Sequence, residues 1–346
     1  MNNLVYESKL LNNSFNITKL GVSYSKSINH LGKIDLRKPF IFLKLFIKTF
    51  YFCLNFKLSL VYFQPSITGL TYIRDLFIIF ICKLFRKKTI LHLHGKGIKK
   101  IAENNKLFSY LYKLGLNNSY IIVLSESQKK DIDFTKPKKV FVLNNGIPAL
   151  NTNQTKFETS HIIKFLYLSN LLKSKGIVDL LDACKLLNDD NIDFRLDIVG
   201  SEGDITSDQL NSIIESYNLK SKIIYHGPKY NNDKIEYFNN CDVFVFPTKN
   251  EAFGLVLLEA MQYSLPIIAS DEGAIPEIIE HNNSGLIFPS GDIIQLYKYM
   301  KYGIENKEKM KIMGKRGKVL FNEKFTFSEF ENELQSIFNS VLQDKN

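Results

Sequence analysis

Short β-like runs alternate with helical stretches through almost the whole chain, a pattern that builds parallel sheets with helices on both faces. In the first half the strand candidates are 15–23, 59–64, 89–94, 120–125 and 139–146, with helical segments near 39–56, 70–86, 98–115 and 126–132. Residues 146–161 are polar, contain Gly and Pro and have no period, as a linker does. The alternation then restarts, with strands expected at 162–169, 194–200, 222–227, 242–248, 266–270 and 285–289. Helices fall near 176–188, 207–218, 231–240, 255–263, 292–302 and 307–322, with a last one near 327–342. The pattern predicts two Rossmann-like, doubly wound α/β domains facing a cleft, 1–150 and 151–326, and a C-terminal helix at 327–346 that crosses back to the first domain. Ahead of the first strand-like run, "NNLVYESKLL" is helical in pattern, so the chain reads as starting inside a first helix.

A length of 346 residues exceeds what single cores usually reach, and 45% hydrophobic with 13% aromatic content excludes a disordered chain. The net charge of +10 conceals an asymmetry: residues 1–150 hold 24 Lys and Arg against 7 Asp and Glu, residues 151–346 hold 21 against 28. A basic half suits nucleic acid, an anionic membrane or phosphorylated small molecules. No recognised nucleic-acid motif accompanies the charge, so no nucleic-acid partner is expected. Cys53, Cys82, Cys184 and Cys241 form no CxxC pair, which favours core thiols in a reducing cytoplasm over a disulfide framework or a zinc site. The first residues lack the basic and then apolar pattern of a secretory leader. Residues 40–56 are interrupted by lysines and 76–85 are shorter than the ~20 residues a spanning helix needs, so neither is expected to cross a membrane.

The chemistry concentrates after the strands, where open α/β sheets bind ligands. "SNLLKSKG" places Lys175 just before a helix start at Gly176, "GSEG" follows another strand, and "HGPKY" and "PTKNEAFG" follow two more. The segment "EAFGLVLLEAM" sets Glu259 inside an apolar helical run, a position that reads as buried, while Glu251 stands just ahead of the helix. A helix beginning near Gly254 and Leu255 would offer free N–H groups and a positive dipole end to a diphosphate, with Lys175 adding a full charge. The competing reading pairs Glu259 with a lysine such as Lys175 and leaves Glu251 as a solvated carboxylate at a helix start. In the first half, His92 and His94 lie two apart on one strand face with no third metal ligand at suitable spacing, so no metal site is expected and His92 is read as a core residue. No GxGxxG follows a strand, and "GKG" is too short for a phosphate loop.

"EAFGLVLLE", with "NNGI", "KSKG", "IVGSEG", "VFVFPT", "GAIPEII" and "GLIFP" in this order, resembles the retaining glycosyltransferases of GT-B fold, in the family commonly called glycosyltransferase family 4. The resemblance implies transfer of a sugar from a nucleotide diphosphate sugar to a hydroxyl acceptor, without a cofactor. It implies that Glu259 accepts hydrogen bonds from the ribose hydroxyls, that Glu251 holds hydroxyls of the donor sugar, and that Phe253 and Gly254 offer backbone amides. Lys175 would hold the diphosphate, His94 would lie near the donor sugar, and Gly200, Ser201 and Gly227 would contact the nucleotide. Charge growing on the leaving oxygen would be met by Lys175 and the helix start, a neutralisation that needs no separate metal. The family is described by same-face attack, with the leaving phosphate taking the acceptor proton, so no nucleophile is assigned.

Two departures stand out. The family commonly has Arg in a Gly-Arg-Leu run where this chain has Ser169, Asn170 and Leu171, so one phosphate-binding cation is missing at Asn170. Family members also open with a strand and a Gly-Gly loop, and nothing before "NNLVYESKLL" supplies them, so the N-terminal domain is expected to lack its first strand. These departures carry an alternative, a non-catalytic membrane-associated binding protein with a degenerate fold. "LRKPFIFLKLFIKTFYF" puts Lys44 and Lys48 on one helix face, which reads either as a helix lying on an anionic inner leaflet near a lipid-linked acceptor or as a core helix with snorkelling lysines. The charge of the whole half favours membrane contact, hence a cytoplasmic protein peripheral on the inner face of the membrane.

Overall fold

The computed structural model describes residues 2–20, 37–55, 58–150 and 162–344. The chain divides into two compact units, 1–144 with 330–346, and 145–329.

In the first unit, β1 (Leu60–Phe63), β2 (Lys88–His92), β3 (Tyr120–Val123) and β4 (Lys139–Val142) form a parallel sheet in the order β1-β2-β3-β4. Leu91, Leu93, Ile121 and Val123 pack against helices Gly69–Leu84, Ile98–Asn104 and Lys106–Leu116. Strand alternation turns Tyr62 and His92 to the opposite face. There His92 stacks on Phe330 and Tyr62 meets Phe338 edge-on, both from the last helix, Phe327–Gln343. Ser8 Oγ donates to Glu331, Lys88 Nζ donates to the carbonyls of Leu342 and Asp344, and Phe15 packs edge-on against Phe338. These contacts explain why the C-terminal residues count with the first unit.

The strand expected at 15–23 is corrected over its described part. Phe15 instead ends the helix Lys9–Ser14, its N–H on the Leu11 carbonyl, and its ring goes to the last helix; residues 21–23 lie outside the described residues. The opening segment is helical as read, Asn2–Glu7 and Lys9–Ser14. The helix expected at 98–115 breaks at Asn105, whose side chain caps the second piece by accepting from the Phe108 N–H. Residues 126–132 give a 3-10 turn, Ser127–Asp131. Its Asp131 carboxylate accepts from the N–H groups of Gly97, Ile98 and Lys99, so the helix start after "HGKG" is already occupied by a protein anion. Among the described residues no helix is long and apolar enough to cross a membrane, and all four cysteines are buried and free.

In the second unit, β5 (Ile163–Leu168), β6 (Phe194–Val199), β7 (Ile223–Tyr225), β8 (Val243–Phe246), β9 (Ile267–Ser270) and β10 (Gly285–Phe288) form a parallel sheet in the order β10-β9-β8-β5-β6-β7. The order reverses between β5 and β8, and at such a switch point the loops leaving adjacent strands diverge and open a crevice at their carboxyl ends. Phe165, Leu196, Val243, Val245 and Ile268 belong to one continuous core with Leu180, Leu181 and Cys184 of helix Ile177–Asp189. The linker read at 146–161 lies mostly outside the described residues; Ile147 forms a parallel bridge with Thr326.

Candidate active site

The site grows from the loops that leave β5 and β8. After β5 the chain turns through Lys173–Lys175 in a 3-10 helix, and Gly176, with φ +74°, starts helix Ile177–Asp189. A Cβ on Gly176 would stand 1.8 Å from the Pro247 carbonyl oxygen, so only glycine lets the two loops approach this closely. The Ser174 carbonyl accepts from Thr248 Oγ1, Lys249 N and Asn250 N. This stitching holds the lysine loop against the loop after β8 and brings Lys175 to Glu251.

Lys175 Nζ lies 2.9 Å from Glu251 Oε2 and 3.0 Å from the Asn250 carbonyl. Glu251 Oε1 accepts from the backbone N–H groups of Ala252 at 3.0 Å and Phe253 at 3.3 Å. The carboxylate thus folds back onto the amides that follow it, the Phe253 amide included, and the Phe253 ring is buried edge-on against Phe325. Gly254 precedes helix Leu255–Gln262 in the left-handed conformation, and no side chain caps the helix. The Leu257 N–H turns back to the Gly254 carbonyl, so it is the N–H groups of Leu255 and Val256 that open the helix toward another acceptor.

Glu259 was expected to be buried, and this is corrected. Leu257, Leu258 and Met261 face the core, while Leu255 and Glu259, four apart, share the outward face; Leu255 is 41% exposed and the Glu259 side chain 30%. Its partner is a lysine, as the competing reading had it, but Lys234 in place of Lys175. Lys234 Nζ lies 2.7 Å from both carboxylate oxygens, reaching over from the junction of the 3-10 turn Asn231–Lys234 and helix Ile235–Asn240. Lys234 was missed because nothing in "YNNDKIEYF" marks it; only the tertiary placement of that turn makes the pair.

The remaining expected residues of this unit line the strand ends. Asn170 is exposed after β5. Gly200 N donates to the Gly227 carbonyl, and a Cβ on Gly200 would stand 1.8 Å from the Ser169 carbonyl, so close packing alone accounts for that glycine. Ser201 Oγ lies 3.1 Å from Tyr230 Oη, and His226 Nε2 lies 2.6 Å from Asp197 Oδ1.

His94 belongs to the first unit, two residues beyond the end of β2, its ring 4.1 Å from that of His92. Burial holds its pKa down, to about 4, and that of His92 well below the usual imidazole range. Gln64 Nε2 donates to Tyr62 Oη, which in turn lies 2.6 Å from His92 Nδ1. Both imidazoles are neutral at pH 7.

The profile of the family described as Glycosyl transferases group 1 matches residues 151–319. The capsular polysaccharide biosynthesis glycosyltransferase CapM of Staphylococcus aureus is 27% identical over 240 residues, 65% of this chain, and the chain spans 62% of that relative's own length. Among solved structures, sucrose-phosphate synthase from Thermosynechococcus elongatus matches with a TM-score of 0.70 at 18% identity, covering 90% of this chain and 81% of that one. HepE of Anabaena, solved in complex with UDP, matches with a TM-score of 0.71 at 17% identity, covering 87% and 82%. Likeness at these identities establishes the architecture, that of the GT-B fold, and the profile match places a group 1 glycosyl transferase domain at residues 151–319, within the second unit.

Proposed function

We propose that the protein moves a sugar from a nucleotide diphosphate sugar to a hydroxyl acceptor with retention of the anomeric configuration, in the assembly of a surface polysaccharide or glycolipid. The observation that carries this reading is the grouping of Lys175, Glu251 and the uncapped start of helix Leu255–Gln262, with Glu259 one turn further on the same outward face. A cation beside unsatisfied N–H groups suits a diphosphate, and two carboxylates at this spacing suit the hydroxyls on either side of it. The Glu251 carboxylate already shares its charge with two amides and a lysine, which supports a role in holding sugar hydroxyls over one as a covalent nucleophile. HepE, of the same architecture, was solved with UDP-glucose, and CapM is named for capsular polysaccharide biosynthesis. The test is release of nucleoside diphosphate from a panel of UDP-, GDP- and ADP-sugars, read by chromatography. One donor should be turned over, with the rate collapsing in Glu251→Gln; no turnover of any donor together with no binding would contradict the reading.

The partner of the first unit is proposed to be an anionic membrane surface. In helix Arg37–Asn55, Leu43, Ile47, Phe50 and Leu54 form an exposed apolar stripe at helical spacing, flanked by the exposed Lys44 and Lys48. Helix Gly69–Leu84, in contact through Phe42 and Phe77, exposes Leu70, Phe77, Phe80 and Leu84. Apolar stripes beside lysines match a leaflet of acidic headgroups over acyl chains, where each lysine contributes about 1 kcal/mol. Co-sedimentation should show binding to phosphatidylglycerol vesicles that weakens tenfold or more in a Lys44→Glu, Lys48→Glu double variant. Equal binding to neutral phosphatidylcholine vesicles, or none to either, would remove this partner.

A further inference from the structure

Lys234 lies outside every motif that carries the resemblance, but it occupies both oxygens of Glu259. An ammonium equidistant from two carboxylate oxygens and within 2.7 Å of both lies in the plane that bisects the group and occupies an acceptor site on each oxygen. A ribose cis-diol donating one hydroxyl to each oxygen needs the same approach. Lysine and diol cannot hold that place together. We infer, resting on the reading of Glu259 as the ribose carboxylate, that Lys234 is a resident counter-ion which the donor's ribose displaces, and that its ammonium then passes to the donor's phosphates. Leu255, at the uncapped helix start, lies about 6 Å ahead of Glu259 along the helix axis, within the swing of a lysine side chain whose backbone stays in place. The pair is accessible, with side-chain exposures of 23% for Lys234 and 30% for Glu259, so the exchange needs no opening of the core. Until the ligand arrives, Lys234 cancels a negative charge that would repel an incoming diphosphate. Afterwards it adds a second cation beside Lys175, at a site where Asn170 brings none.

Calorimetric titration of the full chain with uridine and UDP, and in parallel with the guanosine and adenosine pairs, tests this. In Lys234→Met, the nucleoside should bind more tightly because its competitor is gone, while the diphosphate loses a cation. The ratio of nucleoside Kd to nucleoside diphosphate Kd should fall at least tenfold, and Lys234→Gln should behave alike. An unchanged ratio overturns the counter-ion role, whether both ligands weaken together, as for a lysine that only orients Glu259, or neither responds. If no nucleoside diphosphate binds the wild type, or if Glu259→Gln leaves its affinity unaltered, the ribose reading itself fails and this inference fails with it.

Discussion

Replacing Lys175 by methionine is expected to lower kcat for donor turnover by roughly 10²–10³-fold while the donor KM changes far less. Lys175 is held by Glu251 and the Asn250 carbonyl, so binding the ground-state donor exchanges one set of partners for another with little net gain. As the bond to the sugar breaks, charge accumulates on the leaving diphosphate, and the lysine's interaction strengthens there. That difference is what accelerates the reaction. The cost to folding is expected to be moderate, about 1–3 kcal/mol, since the pair is only 22% and 20% exposed but Glu251 keeps the N–H groups of Ala252 and Phe253. Steady-state kinetics with thermal denaturation separate the outcomes. A fall in activity that tracks a large fall in Tm would make Lys175 a structural strut and remove it from the chemistry.

The largest stability effect is expected at Gly176. An alanine there must adopt φ +74°, which costs about 1–2 kcal/mol. Its Cβ also meets the Pro247 carbonyl carbon at 2.6 Å, so the lysine loop must move away from the loop after β8. The sum is roughly 3 kcal/mol, or a Tm drop on the order of 10 °C for a unit of this size. Gly291 is the control: its φ is +86° but a Cβ there meets nothing within 4 Å, so Gly291→Ala should cost only about 1 kcal/mol. Equal effects at the two positions would mean that the close approach of the loops carries no energy. Because the same stitching brings Lys175 to Glu251, Gly176→Ala should also lose turnover at temperatures where it remains folded.

Much of this architecture was legible because strand and helix periods differ and the two units repeat them. The strands of the second unit fall within the expected segments, since continuous apolar runs such as those of β8 and β9 are buried on both faces. The segment at 15–23 misled because alternating apolar residues mark a face to be covered without saying what covers it; Phe15 is covered by a helix more than 300 residues later. Burial at Glu259 was misread for a related reason. A mostly apolar helix of eight residues still has an outward face, and an exposed leucine such as Leu255 is ordinary. The Lys175–Glu251 pair was half legible, as both residues follow strands that the doubly wound order makes neighbours. Lys234 could not be found, because its distance from Glu259 is set by how one short turn packs.

The structure of the protein crystallised with a nucleoside diphosphate, UDP first, tests the central claim most directly. The account predicts the diphosphate within hydrogen-bonding distance of Lys175 Nζ and of the N–H groups that open helix Leu255–Gln262, with the ribose hydroxyls on Glu259. A nucleotide seated elsewhere, with Glu259 touching no ligand atom, would contradict it.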